Sequence, residues 1–403
     1  MRKLIVFLIL VSIIGCRKNI PTPVVNNSWI EDIKFIQQEL PVRHVNLFSK
    51  ISQQEFNSEI EDLIEKAPRL ETYDIICELM KIFAKIGDSH TGIHNENNLD
   101  KFNIAPLKFE VFDDGIYIVE IEESAQKYLK QKVTAINEVP INIVQERISI
   151  ILPHENDNFV KSAIPQFLRL YGILEALNIT DSTYSYTITF ENGAKIKFSG
   201  GTSPNYIFSS CYLPDKTPLY LQQNDLNYWY KILDDNIVYL QYNTCFDMAG
   251  NHFADFVQTM FNELENKPID KFIIDIRLNS GGSSSIITLL IEELKRHENL
   301  EGKIYACIGD ATFSSGVLAA ISLKNNLNAI LVGEPTGAKP NHYGSIQEFI
   351  LPNSEFVVRY STKYISSYHD DEVNTLQPDY FVENYSYDSF SGIDSCIEFI
   401  KSN

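Results

Sequence analysis

The 403 residues of the chain suffice for two or three domains around a substantial core. A hydrophobic fraction of 44% beside 22% charged residues is ordinary for a soluble globular protein. The formal net charge of −19, with no clustered Lys and Arg, excludes a nucleic-acid partner, because a phosphate backbone must be met by basic groups.

The first sixteen residues, MRKLIVFLILVSIIGC, join a basic start to an apolar stretch too short to span a bilayer stably. Ile13-Ile14-Gly15-Cys16 resembles a bacterial lipobox, which implies cleavage before Cys16 and acylation of its sulfur and new amino group. A signal peptide without lipidation is the alternative. Several acyl chains would hold the protein to a membrane by its N-terminus. Residues 1–16 are thus expected to be a lipoprotein signal peptide, and 17–27, RKNIPTPVVNN, a polar tether. Arg17-Lys18-Asn19 lacks the acidic cluster of some surface-exported lipoproteins, which favours an outer-membrane lipoprotein of the cell envelope facing the periplasm. Beyond Cys16, the cysteines Cys77, Cys211, Cys245, Cys307 and Cys396 are odd in number and lack metal-ligand spacing, so they read as mostly buried thiols.

Residues 28–100 form the next unit. SWIEDIKFIQQEL, SQQEFNSEIEDLIEKA and ETYDIICELMKIFAKI place apolar residues three and four apart, the period of helices, and Ser52 with Glu55 suits a capping box. KIGDSHTGIH then breaks the third helix at Gly87 and sets Ser89 and His90 in a turn. An imidazole, with an ordinary pKa near 6.5, can take a hydroxyl proton at neutral pH.

Residues 101–202 read as a small β-rich domain. LKFEVFDDGIYIVEI is a hairpin around Asp113-Asp114-Gly115, KQKVTAINEVPINIVQERISII runs strand, turn, helix, and YSYTITFENGAKIKFSG is a second hairpin around Asn192-Gly193. Residues 203–227, with Pro204, Pro214 and Pro218, are expected to link domains. From residue 228 to 403 strand and helix alternate, so parallel pairing with crossover helices is expected: NIVYLQYNTC as strand, NHFADFVQTMFNELEN as helix.

The most informative stretch follows. FIID at Phe272–Asp275 fits a strand buried on both faces, RLNSGGSSS breaks it, and SIITLLIEELKRHE has helical periodicity. Gly281 and Gly282 would then stand at a helix start, where amides can point at an anion. KIYACIG, DATF and SSGVLAAISLKNN repeat the design, putting Ser314 at a strand-to-helix corner that suits a nucleophile, or a helix cap.

IIDIRLNSGG, then ATFSSG, then LVGEPTGAKPNHYG resemble the serine peptidases of the C-terminal processing protease and tricorn type. The resemblance implies a crotonase-like ββα spiral in an α/β catalytic domain and a PDZ-like module at 101–202, whose AINEVPI has Glu138 where glycine is usual. It implies Ser314 as nucleophile, and Gly281 or Gly282 with the amide of Ser315 as oxyanion hole. Two bases remain open. The processing branch uses a lysine, and Lys339 occupies the matching place, although Pro340 and Tyr343 depart from that pattern. The tricorn branch carries a Ser-His pair, matched by Ser89-His90, and an acid before Pro-Asp, matched by Glu372 before Pro378-Asp379. The second match is the fuller one. Peptides or unfolded proteins are the implied substrates, and no metal or cofactor is needed, since no Walker loop, HExxH or GxGxxG occurs in context. A non-catalytic peptide- or ligand-binding lipoprotein on the same fold is the reading from another class.

Overall fold

A computed structural model of the chain describes residues 27–94, 97–98, 101–200, 207–233 and 236–403. Cys16 and the tether before Asn27 lie outside them. No helix among the described residues is long and apolar enough to cross a membrane.

Three helices open the chain, α1 (Asn27–Arg43), α2 (Gln53–Lys66) and α3 (Thr72–Ile86). The Ser52 hydroxyl accepts the Glu55 amide at 3.1 Å and caps α2, a contribution of about 1 kcal/mol. Helix α3 buries Ile75, Ile76, Leu79, Met80 and Phe83, and Gly87 ends it at a φ of +66°, the left-handed turn that glycine adopts at low cost.

The β-rich part follows the expected order. Strands β1 (Leu107–Phe112) and β2 (Gly115–Glu122) form the first hairpin, and β3 (Val133–Ile136) and β4 (Val139–Pro140) turn through Asn137 and Glu138. Both turn residues have positive φ, so Glu138 does adopt a conformation that favours glycine. Helices α4 (Ile141–Ser149), α5 (Asp157–Phe167) and α6 (Tyr171–Ala176) precede β5 (Ser185–Phe190) and β6 (Lys195–Ser199), which complete the sheet β4-β3-β5-β6. The expected linker is in part ordered strand: β7 (Phe208–Ser210) pairs with β2.

The C-terminal part holds a six-stranded sheet. Its elements are β8 (Tyr228–Leu233), β9 (Ile237–Tyr242), α7 (Phe253–Leu264), β10 (Lys271–Asp275), α8 (Thr288–Leu294), β11 (Ile304–Ile308), α9 (Ser315–Leu327), β12 (Ile330–Gly333), β13 (His342–Ile350), β14 (Val357–Ile365), β15 (Tyr380–Phe381), α10 (Ser386–Ser389) and α11 (Ser395–Ser402). The sheet order is β15-β12-β11-β10-β9-β8, parallel except for β8. Side chains alternate between its faces as the pleat requires. Val238, Leu240, Phe272 and Ile274 pack under α7, α8 and α9, whereas Tyr239, Ile273 and Cys307 pack against Cys396, Ile397 and Ile400 of α11.

The helical unit and the β-rich part do not have separate cores. One cluster joins Ile33, Phe56 and Phe83 to Ile118, Ile136 and Phe190, and to Phe349, Leu351 and Val358 of the β13–β14 hairpin. Asp32 grips the hairpin turn, accepting the amides of Asn353 at 2.9 Å and Ser354 at 2.8 Å. Gly92 and Arg359 exchange backbone hydrogen bonds of 3.1 and 3.0 Å, which ties the segment after His90 to β14.

Arg277 fixes the end of β10. Its guanidinium meets Asp275 at 2.5 Å and Asp394 at 2.8 Å and lies over the Tyr220 ring at 4.2 Å, while Asp394 caps α11. Both carboxylates are buried. Arg277→Ala should therefore lower the free energy of unfolding in denaturant titration by about 3–5 kcal/mol, because two buried anions lose their cation.

Candidate active site

The expected helix at Gly281-Gly282 does not form there, since α8 begins only at Thr288. Residues 281–283 instead run as an extension along the end of β9. Cys245 N–H donates to the Gly281 carbonyl and Ser283 N–H donates to the Cys245 carbonyl, both at 2.8 Å. In a parallel bridge of this kind the N–H and C=O of the middle residue, Gly282, point the other way. The Gly282 carbonyl accepts the Ser315 hydroxyl at 2.7 Å, so that side faces the start of α9. The Gly281 amide is already engaged by Asn279 Oδ1 at 3.0 Å. Of the two glycines, Gly282 is the one whose amide has no acceptor among the described residues.

Ser314 sits at φ +49°, ψ −123°, a backbone state that costs a non-glycine residue about 1–3 kcal/mol. Asn279 and its neighbours hold it there. The Asn279 carbonyl accepts the Phe313 amide at 2.9 Å, and its Nδ2 donates to the Tyr242 carbonyl at 2.8 Å. Thr312 Oγ1 accepts the Gly309 amide and donates to the Ile276 carbonyl. A Cβ on Gly281, whose φ is +115°, would stand 2.8 Å from Ser314 Cβ, so the two segments touch backbone to side chain. The Ser315 amide, at the first turn of α9, also has no acceptor among the described residues.

A column of four rings crosses this corner. His342 lies parallel to His90 at 5.2 Å and 8°, His90 stacks on Phe313 at 4.5 Å, and Phe313 meets Phe159 of α5 at 5.2 Å. Helix α5 is itself pinned by Lys161, which reaches Glu334 at 2.6 Å and Asp113 at 3.0 Å. His90 is buried, and neither ring nitrogen has a hydrogen-bond partner among the described residues. Asp88 Oδ1 accepts the His90 amide at 3.0 Å and lies 3.7 Å from His90 Nδ1. Its other oxygen takes His44 Nε2 at 3.0 Å and Thr91 Oγ1 at 2.6 Å. Burial alone would raise the Asp88 carboxyl, but His44, His90 and Thr91 outweigh it and hold the group well below the usual carboxylate range. Glu155 Oε1 accepts the Ser89 amide at 3.3 Å, and burial followed by the Asp88 charge pushes the Glu155 carboxyl up.

Ser314, His90, Ser89, Gly281, Gly282 and Ser315 all line one cavity of about 1410 Å³. Its remaining wall mixes apolar side chains, among them Met80, Ile93, Leu152, Phe167 and Ile346, with polar ones such as Gln166, Ser345 and Gln347. Arg359, Lys363 and Glu348 supply charge from the β13–β14 hairpin. Glu372 and Lys339 are not brought there. Glu372 is exposed, in a loop where Asn341 and Tyr364 draw in the neighbouring Asp371 instead. Lys339 is half-buried outside the lining, and its contribution is a carbonyl placed 2.8 Å from His342 Nδ1. Asp88, Glu155, Asn279 and His342 carry the local geometry without having been assigned roles from the sequence. Asp88 had a signal, an acid two residues before the histidine in a turn closed by Gly87; Glu155 had none.

No protein-family model and no curated protein matches the sequence. Solved structures do match. Mature CPAF superposes with a TM-score of 0.63 at 13% identity over 94% of this chain and 96% of that chain. This chain has the fold of mature CPAF. CPAF complexed with lactacystin matches likewise, with a TM-score of 0.61 at 13% identity over 94% of this chain and 98% of that one. The tricorn protease matches more loosely, at TM-score 0.45 and 14% identity, over 92% of this chain and 36% of its own. The fold shared with CPAF thus agrees with the type of family that the motifs resemble.

His342 offers a check on the ring column. Burial, then the nearby His90, push its imidazole down from 6.5 to about 4, so the folded chain takes up this proton less readily than the unfolded chain. Stability from this group is complete above the unfolded value and is lost as pH falls towards the folded one, by about 2 kcal/mol between pH 7 and pH 5. His342→Asn keeps a donor for the Lys339 carbonyl and removes the titration. Its stability to urea should fall less over that interval than that of the natural chain, and an equal fall would refute a buried neutral His342.

Proposed function

We propose that the protein is a serine peptidase that hydrolyses peptide bonds through an acyl-enzyme on Ser314, with His90 as base. The observation that carries this reading is the left-handed corner at Ser314, opening beside two unclaimed amides, Gly282 and Ser315, into the cavity that His90 also lines. The CPAF fold supports the same chemistry by analogy. His90 takes the hydroxyl proton as Ser314 Oγ attacks the carbonyl carbon, and the carbonyl oxygen, now negative, accepts hydrogen bonds from the amides of Gly282 and Ser315. Collapse expels the leaving amine, which receives the proton from His90, and water then releases the acyl group by the same steps in reverse. Each oxyanion donor contributes about 10²–10³ in turnover.

A cavity of about 1410 Å³ has room for an extended peptide and fits peptides or unfolded proteins as substrates. The crotonase-like and PDZ-like descriptions of the two parts belong to this reading, as does anchoring in the cell envelope through a lipidated Cys16. The lysine route has less support, since Lys339 does not line the cavity. On unfolded-protein or peptide substrates, Ser314→Ala and His90→Ala should each lose about 10³-fold or more in kcat/KM, whereas Lys339→Ala should stay near the natural value. Ser314→Ala should also abolish labelling by a serine-reactive fluorophosphonate. Full hydrolysis by Ser314→Ala would end the assignment, and a natural chain that is never labelled would leave a binding protein on this fold.

A further inference from the structure

We infer that Asp88, and not Glu372, is the carboxylate that positions His90, keeping Nδ1 protonated so that Nε2 carries the lone pair that receives the Ser314 proton. The inference rests on the peptidase reading for its consequence in catalysis, but its structural content is independent of it. Stacking between His342 and Phe313 fixes the plane of the His90 ring from both faces. Stacking does not choose which nitrogen carries the proton; a charge close to one of the two does.

Asp88 supplies that charge from a rigid position. It is buried, and four groups in its own neighbourhood hold it: the His90 amide, the Thr91 hydroxyl, the His44 imidazole and, at ion-pair distance, His90 Nδ1. His44 Nδ1 accepts the Asn46 amide at 3.0 Å, so its proton is on Nε2 and points at Asp88. Every polar partner of Asp88 therefore donates, which is what an ionised carboxylate requires, and the nitrogen that faces it at 3.7 Å is favoured as N–H.

The other titratable groups around His90 are less well placed than Asp88 to select one nitrogen. Glu155, from the α4–α5 connection, feels the His90 charge, but it spends Oε1 on the Ser89 amide and, unlike Asp88, makes no ion pair within 4 Å of a His90 nitrogen among the described residues. His342, from β13, turns its Nδ1 to the Lys339 carbonyl and is held neutral by burial. His44 reaches His90 only through Asp88. Glu372 is exposed on a solvated loop. Asp88 is thus a positioning residue that acts on the base and does not touch the substrate.

The tautomer is measured directly on the full natural chain by nitrogen-15 NMR of labelled histidine, with His90 assigned by the signal lost in His90→Gln. The expected spectrum at neutral pH shows Nδ1 protonated and Nε2 bare, and an Nε2–H spectrum overturns the inference whether or not the protein cleaves peptides. Asp88→Asn should lower kcat by about 10²–10⁴-fold with KM little changed. It should also move the acidic limb of kcat/KM down by about one pH unit, because the imidazolium has lost its anion. Asp88→Glu should recover part of both, and Glu155→Gln should move the limb less than Asp88→Asn does. A folded Asp88→Asn chain with natural kcat and an unmoved limb overturns the inference; if that variant does not fold, the tautomer of the natural chain decides. Hydrolysis that survives Ser314→Ala is a failure of the peptidase reading, whereas hydrolysis lost in Ser314→Ala but natural in Asp88→Asn is a failure of this inference alone.

Discussion

The ring column His342, His90, Phe313 and Phe159 joins two bodies of side chains that are otherwise separate cores. His90 follows a helix of the first core and Phe313 belongs to the second, and their stacking at 4.5 Å is a direct tie between the turn at Gly87 and the corner at Ser314. Each aromatic contact adds only about 0.5–1.5 kcal/mol beyond the area it buries. Its importance is geometric. Hydrophobic burial sets how firmly each core holds together, but a non-directional force cannot set the angle of an imidazole, whereas rings stacked on both faces can.

A second constraint acts on the corner itself. The backbone state of Ser314 is costly, and the chain meets that cost with hydrogen bonds converging on one side chain and its carbonyl. Asn279 accepts from Gly281 N–H, Cys245 Sγ and Phe313 N–H and donates to the Tyr242 carbonyl, so it connects β9, the glycine pair and the corner in one residue. At about 1 kcal/mol net for a typical intramolecular hydrogen bond, these four are of the right size to offset a strain of about 1–3 kcal/mol. Gly316 completes the fit, for a Cβ there would run into the Asn279 carbonyl oxygen.

Much of this was legible in the sequence, and the pattern of what was not is physical. The alternating runs of β1, β2, β5 and β6 and the continuous apolar runs of β10 and β11 report burial on one face or two, which local composition records directly. Gly87, Ser52 and Ser314 were readable because helix ends and tight corners restrict residue type. The start of α8 was misread because the pull on Ser283 comes from Cys245, a partner 38 residues earlier that no local window contains. The hairpin β13–β14 escaped notice for a similar reason, since it is held by α1 and by the segment around Gly92, both far away in the chain. The motif match pointed to Glu372 from its place before Pro378-Asp379, but a motif does not see that Asn341 and Tyr364 claim the adjacent Asp371 and leave Glu372 in solvent.

The residues that can do chemistry and those that hold them in place also occupy different kinds of position. His90 and Gly282 lie in segments that follow a helix or strand, and Ser314 and Ser315 at the start of α9, places where backbone donors are left over. Their supports sit elsewhere: Asn279 and Thr312 under the strand ends, Arg277 between β10 and α11, and His342 at the first residue of β13. Turn chemistry leaves a strong local mark, so the first group is visible in short motifs, whereas a supporting side chain is defined by what it reaches across the fold. Asp88 is the exception that belongs to both groups. It lies in the same turn as His90, yet its work depends on His44, a residue 44 positions earlier, and only the folded chain brings the two together.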